Sequence, residues 1–173
     1  MGFFRKTEWG VSRFPGGGFR LSLSPEEREV LRGLPDQLEE VFDAAPDDPS
    51  LRRLSPPAYT DQPDHEAEYR RYMGDDLRQR QRDALAVLRE TAGAEELSEE
   101  QAQGWLSALN SLRLVLGTQL DITEGDDGLL TDPADPRAPG LAVYGYLSWL
   151  LDQLVDALAE GLPHIPPDPT DSR

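Results

Sequence analysis

GWLSALNSLRLVLGTQLDIT, residues 104–123, is the stretch on which the fold turns. It is nearly apolar, yet Asn110, Arg113, Gly117 and Thr118 interrupt it. At 100° per residue, Trp105, Ala108, Leu109, Leu112, Val115 and Leu116 share one broad face of a helix. Leu106, Asn110, Arg113 and Gly117 form the adjoining row, so the polar positions line one edge of the apolar face. Ser98, with Gln101 three residues on, makes a capping box and starts this helix, predicted over 99–118. Arg113 is the only base between residues 90 and 136. Two readings of the row stand side by side. In one, it is a packing seam in which Arg113 pairs with a carboxylate of the preceding helix, Asp75 or Asp76. In the other, Arg113 holds an anionic ligand or a partner's carboxylate.

A second strongly apolar helix is predicted over 139–161, with Leu141, Val143, Tyr144, Leu147, Leu150, Leu151, Leu154, Val155 and Leu158 along it and Gly161 and Pro163 to end it. Between the two lies an acidic loop rich in Gly and Pro. Upstream, Ser24, Pro25 and Glu27 start a helix over 25–44, in which Val30, Leu31, Leu34, Leu38, Val41 and Phe42 make the stripe. Pro35 lacks a backbone donor and predicts a kink or a restart there. Residues 64–92 carry a thin apolar face of Tyr69, Tyr72, Met73, Leu77, Leu85 and Leu88, with a break expected at Gly74. The connector before it holds one short helix near Leu51 to Leu54, and GAEEL, 93–97, reads as a turn. Residues 9–23 alternate on both sides of PGGG, which predicts a β-hairpin. The fold class that follows is mainly α: an irregular helical bundle of about four to five helices with an N-terminal β-hairpin. The helices 99–118 and 139–161 are expected at its centre, in one domain over 1–161. A disordered Pro-rich tail, 162–173, is expected to follow.

Composition excludes several chemistries. With no cysteine in 173 residues, the chain has no disulfide, thiol nucleophile, thiolate metal site or thiol switch. Of its two histidines, His164 lies in the tail and His65 has no ligand-spaced companion, so it reads as a surface residue. No apolar run is long enough to span a bilayer and no secretory signal is apparent, so a cytoplasmic location is expected. The net charge of −16 repels bare DNA and anionic membranes from most of the surface. No nucleotide-binding loop or nucleophile elbow stands in a suitable context, and PGGG is turn chemistry. The loop sequence EGDDG, 124–128, lacks calcium-loop spacing. No enzyme activity, cofactor or metal is therefore expected.

Basic residues gather in two places. Arg78, Arg80 and Arg82, with Arg70, Arg71 and Arg89, stripe the 64–92 helix. They read either as a solvated helix laced with ion pairs or as a docking face for an acidic partner. Arg5 and Arg13 stand among aromatic residues in the N-terminal segment. That mixture fits a hairpin packed on the bundle, or a grip on nucleic acid by stacking and charge.

LRRLSPPAY (51–59), EAEYRRYMGDDLRQRQ (66–81), LSEEQAQGWLSALNSLRLVLGTQLDI (97–122) and AVYGYLSWLLDQLVDAL (142–158) together resemble an actinobacterial family of domains of unknown function. Its members are described as AosR-like oxidative stress and transcriptional regulators. The resemblance spans about residues 10–161, and W-L-x-x-L-N-x-L-R-L-x-L-G-T is its most specific part. It implies a non-enzymatic regulator. In the family the oxidative-stress reading goes with a cysteine pair near the N-terminus, and this chain has no residue to which that role transfers. A regulator acting through a protein partner, such as a sigma factor or polymerase, fits the charge; direct nucleic-acid binding does not. The alternative from a different class is a small-molecule-binding or hydrolytic protein with a pocket around Arg113.

Overall fold

The computed structural model describes residues 9–58, 60–123 and 134–161. Arg5, the EGDDG loop and the tail with His164 lie outside the described residues. In chain order the elements are β1 (Gly10–Arg13), β2 (Phe19–Ser22), α1 (Pro25–Ala44), a short 3-10 helix (Pro49–Arg53), α2 (Pro63–Thr91), β3 (Glu96–Leu97), α3 (Glu99–Gln119) and α4 (Ala138–Ala159). The mainly helical reading with an N-terminal hairpin is what the chain adopts.

β1 and β2 pair antiparallel, with Val11 opposite Leu21 and Arg13 opposite Phe19. Gly16, Gly17 and Gly18 all take positive φ, which only glycine adopts without strain, and Phe14 N–H closes the turn on Gly18 O at 3.2 Å. Val11, Phe19, Leu21 and Leu23 are buried, whereas Trp9 is 55% exposed. β3 adds a third strand on β2, placing Leu97 opposite Phe19. The segment GAEEL was expected to be only a turn; two residues are too short for alternation to register, and the pairing is set by the neighbour strand.

α1 opens with the expected capping box: Glu27 N–H donates to Ser24 Oγ and Ser24 N–H to Glu27 Oε2. The helix neither stops nor restarts at Pro35, which lies buried within it beside Leu31, Leu38 and Phe42. One lost donor costs about 3 kcal/mol in a helix interior, and burial of the flanking stripe offsets it. α2 likewise runs through Gly74 without a break. Its buried residues begin only at Gln81 and continue with Ala84, Leu85 and Leu88.

α3 is the hub. It packs against α1, α2, α4, the 3-10 helix and β3. Trp105, Ala108, Leu109, Leu112 and Val115 are buried, as the spacing predicts. Trp105 Nε1 donates to Thr91 Oγ1 at 2.8 Å, which ties the first half of α3 to the end of α2. At the crossing, a Cβ on Gly104 would stand 2.9 Å from Val87 Cγ1, so the two helices approach closer there than any larger residue allows. α4 lies on the other side of α3 and also meets β1. The core thus joins hairpin and helices in one cluster around Trp105, Phe19, Leu85, Leu109, Leu147 and Leu150. Among the described residues, no helix is long and apolar enough to cross a membrane.

Candidate functional site

The row on α3 grades from solvent to core. Asn110 is exposed, Arg113 half-buried and Gly117 buried. Arg113 Nη2 reaches Asn110 Oδ1 at 3.5 Å, a weak contact one turn back. Its Nε is buried with no hydrogen-bond partner among the described residues. The expected pair with Asp75 or Asp76 is not formed; both carboxylates are exposed on the first half of α2. The reason is the connector. The 3-10 helix packs on α3, and Leu54 O accepts from Gln81 Nε2 at 3.2 Å. α2 is therefore held to the bundle from Gln81 onward, and the aspartates stand upstream of that point.

Gly117 marks a close approach. A Cβ there would stand 3.0 Å from Tyr144 Cε2 and 3.7 Å from Arg53 Nη1. α3 has no base in its own last turn, and its terminal carbonyls carry partial negative charge. Two arginines from elsewhere meet that end. Arg53 Nη2 donates to Ile122 O at 3.2 Å, and Arg137 Nη1 to Leu120 O at 3.2 Å. Asp135, bonded by Arg137 through side chain and backbone, is held below the usual carboxylate range. Gly117, at the end of the row, is thus where α3 comes close to α4 and the connector.

The arginines of α2 divide between two neighbourhoods. Arg78 stands over Phe42, 4.1 Å from the ring centre, and Arg82 at 5.4 Å from the same ring. Burial, then the charge of Arg82, lowers the Arg78 pKa. Arg82 pairs with Asp43 at 2.7 Å, and Arg89 bridges Asp36 at 2.8 Å and Glu39 at 3.0 Å. The hydrogen bonds to Asp36 and Glu39 raise the Arg89 pKa. These three arginines fasten α2 to α1. Arg70 pairs within the helix with Glu66, as the i, i+4 spacing predicts, and Arg80 is exposed. On the hairpin, Arg13 pairs with Glu99 and Arg20 with Glu96.

Three hollows are lined by other residues than Arg113. One lies between the hairpin turn and β3, at Phe14, Gly18 and Leu97. One lies between β1 and the end of α4, at Trp9, Arg13, Gln153 and Asp156. The third is an apolar groove of about 180 Å³ between α1 and α3, lined by Leu34, Leu38, Val41, Val115 and Leu116 and by Leu147 of α4. On α4, burial and the Glu27 charge raise the pKa of the Tyr146 hydroxyl, which makes no well-formed hydrogen bond. No group of three or more His, Asp or Glu among the described residues is placed to hold a metal.

Residues 7–158 match the profile of the domain of unknown function DUF2017. The chain belongs to this family. It is 31% identical over 184 residues to the oxidative stress regulator AosR of Mycobacterium tuberculosis, covering 81% of this chain and 82% of that protein. The Mycobacterium bovis protein of the same name gives the same figures. A Mycobacterium leprae protein that also bears the AosR name is 33% identical over 168 residues, covering 80% of this chain and 70% of that one. No solved structure matches the chain significantly.

Within this DUF2017 chain, one heavily bonded polar side chain is passed over by the sequence reading. Arg28 donates through Nη1 to Ala92 O at 2.9 Å and to Ala94 O. Through Nη2 it reaches Leu21 O at 3.2 Å, and through Nε it reaches Leu23 O at 3.3 Å. It clasps β2, α1 and the α2–β3 turn together. A signal existed: position 28 lies one turn before Leu31 on the stripe that continues through Pro35, Leu38 and Phe42. A base on a buried stripe needs acceptors.

Proposed function

We propose that this chain is a non-enzymatic cytoplasmic regulator that works by contacting protein partners, and that thiol oxidation is not its input. Its membership of the family and its likeness to proteins named oxidative stress regulators support the regulatory part. The observation that carries the partner class is electrostatic. The net charge is −16, and the hairpin arginines Arg13 and Arg20 and the α2 arginines Arg70, Arg82 and Arg89 are each already matched by a carboxylate. Phosphates find little unshielded positive surface there. A basic face on a protein is instead steered toward it. With no cysteine, any response to oxidants has to come from the partner or from another chemistry. By resemblance, the partner is a component of the transcription machinery, such as a sigma factor or polymerase.

The test is a titration of fluorescent duplex DNA with the purified chain, read by anisotropy at about 50 mM salt, where phosphate contacts are strongest. No binding is expected. Binding that weakens steeply with added salt would make the chain a direct DNA reader and sink this reading.

A further inference from the structure

Arg82 and Arg89 fasten α1 to α2, and Gly117 lets α3 close on α4. Between α1 and α3 a groove of about 180 Å³ is left. Leu34 and Val41 of α1, Leu112 and Leu116 of α3, and Leu147 of α4 line it. Leu112 and Leu147 belong to the buried core, whereas Leu34, Val41 and Leu116 stay half-buried. The lining positions recur at three- and four-residue spacing on both helices, from Leu34 to Val41 and from Leu112 to Gln119. Each side is therefore a helical row of two turns, about 10 Å long. Val30, 40% exposed and one turn before Leu34, carries the α1 row further. The groove is smaller than the roughly 300–1,000 Å³ of a small-molecule pocket. Its paired helical rows instead match the groove that takes the apolar face of a third helix.

The charges beside it say which kind of helix. Among the described residues, no Arg or Lys lines the groove. The bases of α1 are occupied elsewhere: Arg28 holds backbone carbonyls of β2 and of the turn after α2, and Arg32 pairs with Glu29. Arg113 of α3 reaches back to Asn110. Glu40 stands next to Val41 on the solvent side of the α1 row, and Asp121 stands just past Gln119 at the end of α3. Both carboxylates are exposed and make no ion pair among the described residues. An acidic helix brought to the groove would meet like charge at both, and a basic one opposite charge.

We propose that this groove docks an amphipathic helix of a partner protein, with its apolar residues seated between α1 and α3 and Lys or Arg on its flanks against Glu40 and Asp121. Docking there rests on the partner-binding reading above and supplies its contact surface.

The probe is a fluorescent synthetic peptide of leucine and lysine, about fourteen residues or four turns long, with the leucines along one face. It is titrated with the full chain and read by anisotropy at about 0.15 M salt, where distant charges are screened. One comparison peptide carries glutamate in place of lysine, and another scatters the same residues so that no apolar face forms. Binding is expected for the lysine helix alone. Val41→Glu spoils the apolar row while adding a negative charge. Docking predicts that it weakens binding by at least about tenfold, whereas unspecific attraction to an acidic protein predicts tighter binding. Glu40→Lys is expected to weaken binding by about two- to fivefold. Asp152→Lys, the same change of net charge at an exposed position of α4 outside the groove, is expected to leave it unchanged. Glu40 and Asp152 are both exposed, so this pair decides the matter even if a circular-dichroism melt shows Val41→Glu unfolded. Equal weakening by the two lysine variants overturns the proposal. So does tighter binding by a folded Val41→Glu, equal binding of the scattered peptide, or no binding of the lysine helix. Failure of the peptide overturns the groove and leaves the partner-binding reading standing, which only DNA binding in the titration above sinks.

Discussion

Arg28 and Arg113 are both arginines at the margin of an apolar stripe, and they do opposite amounts of structural duty. Arg28 gives its whole fork to four backbone carbonyls, while among the described residues Arg113 leaves Nε sealed without an acceptor and reaches only Asn110. A hydrogen bond from a charged donor contributes about 1.5–3 kcal/mol, and orphaned carbonyls add to the loss. Arg28→Met is therefore expected to cost more than about 3 kcal/mol in urea unfolding. Arg113→Met, which removes an unsatisfied buried nitrogen and keeps the stem, is expected to change stability by less than about 1 kcal/mol. A loss at Arg113 as large as that at Arg28 would mean that it is held by a partner group after all. The sequence could not separate the two, because the acceptors of Arg28 are backbone oxygens of β2 and the α2–β3 turn. Backbone oxygens leave no residue-type signature.

Helix starts lie at the other extreme. Both capping boxes are local chemistry, written within four residues, and both form as read. Ser24→Ala and Ser98→Ala are each expected to cost about 1 kcal/mol. They cap different helices with no shared hydrogen-bond partner, so the double variant should lose the sum to within about 0.5 kcal/mol in the same unfolding measurement. A strong non-additivity would show that the two helix starts are coupled. Pro35 and Gly74 are local breakers, but of the kink or restart expected at Pro35 no restart occurs, because the stripe of α1 is buried on both sides of it, and α2 runs through Gly74 without the expected break. β3 was missed because its strand character comes from β2 and not from its own two residues. The arginine face of α2 looked like one surface in sequence. In the fold, Phe42, Asp43, Asp36 and Glu39 of α1 draw Arg78, Arg82 and Arg89 inward and leave Arg80 outside.

For the whole molecule, charge is the dominant property: 33 acids against 17 bases, with one lysine at most among them because Lys6 is the only one in the chain. That imbalance was fully legible in the sequence, as was the absence of thiols. What the fold adds is that the arginines are largely spent on internal carboxylates and carbonyls. The surface left over is one that meets basic proteins better than phosphate. It also makes the chain a donor of carboxylates, and barely of amines, in chemical coupling. The most direct measurement is thus carboxylate-to-amine zero-length crosslinking of the tagged full chain in its native host, read by mass spectrometry before and after peroxide. The account predicts crosslinks from this chain's Asp and Glu to lysines of a transcription component, unchanged by the oxidant. Absence of any transcription component from the crosslinked partners, or crosslinks that appear only after oxidation, would contradict it.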